Sequence, residues 1–345
     1  MKMATLCAIA YSFFVLTSPA QQRPPAGPDV HPFPDVRPYR PSNSLSGTIN
    51  IVGSDELEQL TQRWIDGFRR VYPDVQFTLE AKSSLSVGPA LTDGRSQIGP
   101  LGREFLASEE DAFTAKHGHH TLDIRIAGGA WAVPGRTHEV AFLVNKSNPL
   151  ERIDFQKLDA IYSSTRKRGY PSDITTWGQL GLKGEWADKP IHLWGLIFAD
   201  GITHLIQDRV LLGGDYKATV QEQKASPDKP AIDAIVDSVS KDPYALGYGG
   251  LGYIQGKPVK ALALAVGPKG FFYTGTYDEI LHHTYPLSRF VYIHIDKVPG
   301  KPLDPKVREF VRYALSAEGQ KSVIDEGSYL PLTPDVVKQE LHKLN

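Results

Sequence analysis

Cysteine is almost missing from this chain of 345 residues; the only one is Cys7. An internal disulfide is therefore excluded, and loss of the segment that carries Cys7 would exclude thiol catalysis as well. Long hydrophobic runs are missing too. The run over residues 3–16, interrupted by Tyr11 and Ser12, is short of the ~20 residues that span a bilayer. Net charge is lacking: 38 Lys and Arg stand against 39 Asp and Glu, for a formal −1. Nothing global attracts nucleic acid or an anionic membrane, and no nucleic-acid partner is expected. There is no GxxxxGK[ST] phosphate loop, no GxSxG elbow and no HExxH pair. Carboxylates are plentiful, but no pair is set apart for acid–base work, so a hydrolase has no support.

What is present begins with an address. Lys2, the apolar run and Ser18-Pro19-Ala20 read as a cleaved secretory signal over residues 1–20. Residues 21–44 follow, with Pro24, Pro25, Pro28, Pro32, Pro34, Pro38 and Pro41. So much proline precludes helix and central strand, and an extended linker is expected. The protein is thus expected in the periplasm or secreted after signal cleavage.

The remaining chain alternates between two periods. Ile49 and Ile51 alternate as in a strand. Leu57, Leu60, Trp64, Phe68 and Val71 then recur at helical spacing, with Asp55 and Glu58 placed for a capping box, and Val75, Phe77 and Leu79 alternate again. This is a β-α-β unit. Ser83-Ser84 opens a short helix ended by Gly94, and Ile98 begins another strand. Later strands are expected over 140–144, 191–194, 259–266 and 290–295, with a glycine-rich strand region over 245–254. Helices are expected over 155–162, 202–212, 231–239, 305–316 and 319–326. The pattern predicts an α/β fold with open parallel sheets, whose ligands bind beyond the carboxyl ends of strands, where following helices point free N–H groups. The turns at 53–56, 83–84 and 200–203 are the candidate places.

Two other signals carry less. Gly247-Tyr248-Gly249-Gly250-Leu251-Gly252 matches GxGxxG literally, but Pro258 follows and no helix opens, so a glycine-rich turn beside a strand is the reading. His117, His119 and His120 cluster, as do His282 and His283. Metal ligation needs convergent ligands, which spacing alone does not supply, so surface histidines are expected, with no metal and no cofactor.

Several segments together resemble the phosphate-type solute-binding proteins of ABC importers. They are Ile51-Val52-Gly53-Ser54-Asp55-Glu56-Leu57, Pro89-Ala90-Leu91-Thr92-Asp93-Gly94, Ile98-Gly99-Pro100-Leu101-Gly102-Arg103 and Val144-Asn145-Lys146-Ser147-Asn148-Pro149-Leu150. Thr176-Trp177-Gly178-Gln179-Leu180-Gly181, Leu246-Gly247-Tyr248-Gly249-Gly250 and Thr284-Tyr285-Pro286-Leu287-Ser288-Arg289 continue the order. The resemblance implies a two-lobed periplasmic binding protein of type II with a hinge of two crossing strands. Lobe 1 would hold 45–142 and 262–345, and lobe 2 would hold 143–261. It also implies no enzymatic activity, a small solute caught between the lobes, an ABC permease as receiver, and a monomer.

By the same resemblance the binding residues are Ser54, Asp55, Glu56, Ser83, Ser84, Arg103, Asp200, Gly201 and Thr203. Departures from the family pattern are marked. Glu56 stands where threonine is frequent, and Gly102 where serine precedes the arginine. Leu196, Asp200 and Ile202 stand for the arginine, serine and threonine of the third turn. A hydrogen bond to a charged group contributes about 1.5–3 kcal/mol, so these losses predict weak phosphate binding in the family's mode. An acidic, glycine-lined cleft would suit a cationic, amino or polyhydroxyl solute. Glu56 and Asp200 read equally as caps of the helices after them. A sensory or scaffold relative with a protein partner, or an exported hydrolase, stands as the alternative.

Overall fold

The structure, a computed structural model, describes residues 33–198, 200–226 and 228–344. The expected signal segment and the first half of the proline-rich segment lie outside them. The first β-α-β unit forms from the pattern that announced it. β1 (Gly47–Ser54) turns Ile49 and Ile51 inward, α1 (Glu58–Val71) buries Leu60, Trp64 and Phe68, and β2 (Val75–Lys82) pairs in parallel with β1 over its whole length. Between β1 and α1 the chain makes a 3-10 turn, Asp55–Leu57, without a side-chain cap at either start, so the expected Asp55/Glu58 box is not formed. A second 3-10 turn, Ser84–Ser86, leads into α2 (Val87–Thr92) and β3 (Gly99–Leu101). α3 (Ala107–His117) and β4 (Leu122–Gly128) complete this stretch.

The chain then crosses. β5 (Val140–Asn145), β6 (Arg152–Asp154), α4 (Phe155–Tyr162), β7 (His192–Leu196), α5 (Gly201–Arg209), β8 (Gln221–Gln223), α6 (Ala231–Lys241), β9 (Ala245–Gly250) and β10 (Val259–Ala261) follow. So do β11 (Ala263–Ala265) and α7 (Tyr277–Leu281). β12 (Phe290–Ile295) returns to the first body, where α8 (Pro305–Ala314), α9 (Ala317–Glu326) and α10 (Pro334–Lys343) close the chain. Among the described residues no helix is long and apolar enough to cross a membrane.

The two main sheets have the same plan. In the first, β1 pairs with β2, meets the start of β3 through a parallel Ile51–Ile98 bridge, and β12 runs antiparallel between β3 and β4. In the second, the order is β10-β5-β9-β7-β8, and β5 alone is reversed. Each reversed strand follows a crossing of the chain, which makes this an α/β fold of the type II periplasmic-binding-protein kind.

The two apolar cores fix where the crossings lie. One core draws on residues from Val36 to Ala130 and from Phe290 to Leu344. The other draws on residues from Val140 to Leu287, with Leu330. The expected boundary at 142/143 therefore moves ahead of β5, because that strand pairs with β9 over Val140–Val144. The expected boundary at 261/262 moves to Ser288 and Arg289. β11 pairs with β6, and Leu262, Leu264, Ile280, Tyr285 and Leu287 fill the second core. The expected strand over 259–266 is two strands in two sheets, divided at Leu262.

Residues 33–44 are no free linker. They lie along the first lobe, starting with a turn closed by Val36 N–H donating to Phe33 O at 3.0 Å, and Val36 is buried in its core. Tyr39 Oη donates to Glu309 Oε2 at 2.7 Å, and Ala317 N donates to Arg37 O at 3.0 Å.

Candidate functional site

The carboxyl ends of β1 and β2 open onto a cavity of about 420 Å³ lined by Ser54, Asp55, Glu56, Ser83, Ser84, Gly135 and Arg136. Five of these seven are candidates from the sequence. Ser54 ends β1 and is almost fully buried, with its hydroxyl only loosely against Asp55 Oδ1, at 3.5 Å. Ser83 accepts Leu85 N–H at 3.2 Å, which locks the turn that presents Ser84.

Gly135 and Arg136 come from the first crossing and were not foreseen. Gly135 adopts φ +74°, and its N–H donates to Tyr253 Oη of the second lobe at 2.9 Å. The turn aims Arg136 at the first lobe, where Nη1 donates to Glu56 O at 3.2 Å and Nη2 lies 3.9 Å from Glu326. Tyr329 Oη donates to the same Glu56 carbonyl at 3.1 Å. The Glu56 backbone is thus clamped from two sides. Its carboxylate accepts Thr137 Oγ1–H at 3.0 Å. Burial raises the Glu56 pKa above the usual carboxylate range, against the opposing pull of Arg289 and of the Thr137 hydrogen bond.

The other four candidates stand elsewhere. Arg103 is spent on Glu109, with Nη1 and Nη2 donating to its two oxygens at 2.6 and 2.9 Å, and Nη1 also donates to Glu104 O. Asp200 caps α5 by accepting Ile202 N–H at 2.8 Å. Its pKa is raised by burial, partly offset by that bond and by Arg289, His204 and Arg103. Thr203 is buried, and its hydroxyl bonds back to the carbonyls of Leu196 and Ile197, both at 3.1 Å. Gly201 marks where the lobes touch. A Cβ there would stand 2.9 Å from Arg103 Cδ, so a larger residue would have to push the Arg103 side chain aside.

A model described as the PBP superfamily domain matches residues 39–318. The phosphate-binding protein PstS of Pseudomonas aeruginosa is 36% identical over 311 residues, covering 90% of this chain and 91% of that protein. The chain belongs to the PBP superfamily. Protein SphX of Synechococcus elongatus is a more distant relative, 23% identical over 86% of this chain and 80% of its own. The fold is shared with PstS from Borrelia burgdorferi, at 18% identity and a TM-score of 0.54, covering 83% of this chain and 99% of that one. It is also shared with an ABC-type phosphate transport receptor from Vibrio cholerae, at 20% identity and a TM-score of 0.53, covering 82% and 99%. As a PBP-superfamily member of the PstS kind, the protein is a solute-binding protein and not an enzyme.

Within this family two departures noted in the sequence become one exchange. A Cβ at Gly102 would collide with both Thr137 Oγ1 and Glu56 Oε1. Glu56, where threonine is frequent, occupies with Thr137 the space that a serine at 102 would need. The departure at 196 is of another kind. Leu196 is 2% exposed in the core of the second lobe, and its N–H donates to Tyr248 Oη at 3.2 Å. The arginine that lines the cavity is Arg136. No motif flags it, because it lies in an irregular crossing whose place beside β1 only the tertiary fold creates.

Proposed function

We propose that the protein captures inorganic phosphate in the periplasm, in the cavity beneath Ser54, Ser83 and Ser84, and hands it to an ABC permease. The observation that carries this reading is Arg136 lining the same cavity as three serines. One guanidinium with several hydroxyl and turn N–H donors is the set that an oxyanion requires in a partly dry site. It revises the expectation of weak phosphate binding, which rested on the missing arginine at 196 together with the hydroxyl donors lost at 56, 102, 200 and 202 and the carboxylates of Glu56 and Asp200. Asp55 and Glu56 accept hydrogen bonds, and a phosphate that still carries P–OH can donate to them. Sulfate has no such proton at neutral pH, so selectivity for phosphate follows from the same lining. The PstS relative from Pseudomonas aeruginosa, named for phosphate binding, adds support.

Calorimetric titration of the purified chain tests this. Phosphate should bind at micromolar concentration or tighter, and sulfate at least tenfold more weakly. Arg136→Ala should weaken phosphate by about ten- to a hundredfold, the equivalent of one charge-assisted bond of ~1.5–3 kcal/mol. Heat with a diamine or sugar but none with phosphate would overturn the assignment.

A further inference from the structure

The histidines at the end of α3 acquire a third partner that their spacing does not reveal. Gly118, at φ +76°, turns the chain after His117, so that His119 faces the same side, toward Asp296 just beyond β12. One ligand atom from each of the three lies within 4.8 Å of the others. Both rings are held. Fully buried Phe113 stacks on His117 at 4.3 Å and meets His119 edge-on at 5.6 Å.

The hydrogen bonds fix which nitrogen is free. His117 Nε2–H donates to Thr92 O at 2.9 Å, and His119 Nδ1–H to His120 O at 3.0 Å. In the neutral rings, His117 Nδ1 and His119 Nε2 then carry lone pairs, and both point at Asp296. They lie 3.4 Å from Oδ2 and 3.3 Å from Oδ1. Asp296 Oδ1 is buried and accepts no hydrogen bond. Lone pairs and a carboxylate brought together repel unless a cation lies between them. A shared proton would draw nitrogen and oxygen to about 2.7–2.9 Å. Tetrahedral ligands at bonds of about 2.0–2.1 Å are separated by about 3.3–3.4 Å, and each imidazole nitrogen stands at that spacing from one oxygen of the Asp296 carboxylate.

We infer that His117, His119 and Asp296 bind a divalent transition metal of the zinc type, leaving a fourth position for water. The backbone carbonyls of Thr92 and His120 act as the outer partners that orient ligating imidazoles. Topology separates this site from the solute cavity. β12 runs antiparallel to β3, so its carboxyl end lies at the edge of the first sheet away from the carboxyl end of β1. The metal would clasp the end of α3 to the end of β12, and would do so independently of solute.

Titration of the EDTA-treated chain with zinc chloride tests the assignment. One equivalent should bind at micromolar concentration or tighter, while calcium, which prefers oxygen ligands, should not. His117→Ala and His119→Ala should each weaken zinc at least tenfold. His192→Ala should leave it unchanged, since His192 pairs with Asp242 in the second lobe, away from the three side chains. Anomalous diffraction at the zinc edge from crystals of the unaltered chain should place the ion between the three side chains, and this readout does not depend on how the variants fold. Absence of stoichiometric binding, zinc affinity indifferent to His117 and His119, or an anomalous peak elsewhere would each overturn it.

Discussion

Glu56 and Gly102 illustrate how a binding turn is rewritten one residue at a time. Each alone reads as the loss of a hydroxyl donor, but the carboxylate of one fills the space left by the other and holds Thr137 beside it. Gly102→Ser alone should overpack this spot and lower stability by about 1–3 kcal/mol. Adding Glu56→Thr removes the obstructing carboxylate and frees the Thr137 hydroxyl to rotate, so the pair should recover most of that loss. A urea-denaturation cycle should give a coupling energy of about 1 kcal/mol or more; additive effects would show that the two positions are independent. At this scale the serine turns were readable, because a strand–turn–helix pattern places them at a carboxyl edge. Asp200 was readable as a cap for the same reason. Arg136 was hidden, since nothing local distinguishes it from a surface arginine. The fate of position 196 was hidden too. Leu196 is apolar and belongs to a core that exists only after α5 packs on β7, so Leu196→Arg would bury an unpaired charge rather than restore an anion ligand.

Among the elements, the strap over residues 33–44 behaves least as its composition suggests. Residues 33–44 form neither helix nor strand, as so much proline requires, but that does not imply detachment. Tyr39 lies edge-on to Tyr313, with ring centres 5.4 Å apart, and supplies a hydrogen to Glu309, which is itself buried and also takes two bonds from Arg312. The Tyr39 N–H donates to Glu318 Oε2 at 2.8 Å. Tyr39→Phe should cost about 1 kcal/mol through the lost hydrogen bond, and Tyr39→Ala roughly 2–3 kcal/mol because a half-buried ring goes as well. Both are measurable by chemical denaturation, and no change in either variant would return the strap to the status of a linker. Val36 and Tyr39 gave no warning, since isolated apolar residues have no period. α3 escaped for a related reason. Its single buried side chain, Phe113, makes no stripe, whereas α1 and α6 bury regular rows and stand out in the sequence.

The molecule as a whole turns on two crossings stitched side by side. Gly129 N donates to Arg289 O, Arg289 N to Glu139 Oε2, and Arg289 Nη1 and Nη2 to the carbonyls of His138 and Gly102. Thr137, His138 and Glu139 are all buried there, and neither His138 Nε2 nor Glu139 Oε1 finds a partner. Burial pushes Glu139 up to about 8, against the pull of Arg289, and pushes His138 down to about 3, with Arg289 adding to the shift. For Glu139, the folded chain holds its proton while the unfolded chain, with an ordinary carboxyl near 4.5, has released it. Its contribution is therefore fully present below about 4.5 and is lost as pH rises to about 8, at about 1.4 kcal/mol per unit. His138 acts in the opposite sense. Its contribution is present above 6.5 and is lost as pH falls toward about 3. The hinge is thus most secure in mildly acidic solution, where Glu139 is still protonated and His138 still neutral. Glu139→Gln keeps the shape of the protonated acid and cannot ionise. The stability of the unaltered chain minus that of this variant should fall steadily from pH 5 to pH 8 in urea unfolding, and His138→Gln should leave that slope in place. A difference that stays flat across the range would mean that Glu139 is ionised within the folded hinge and is held there by Arg289.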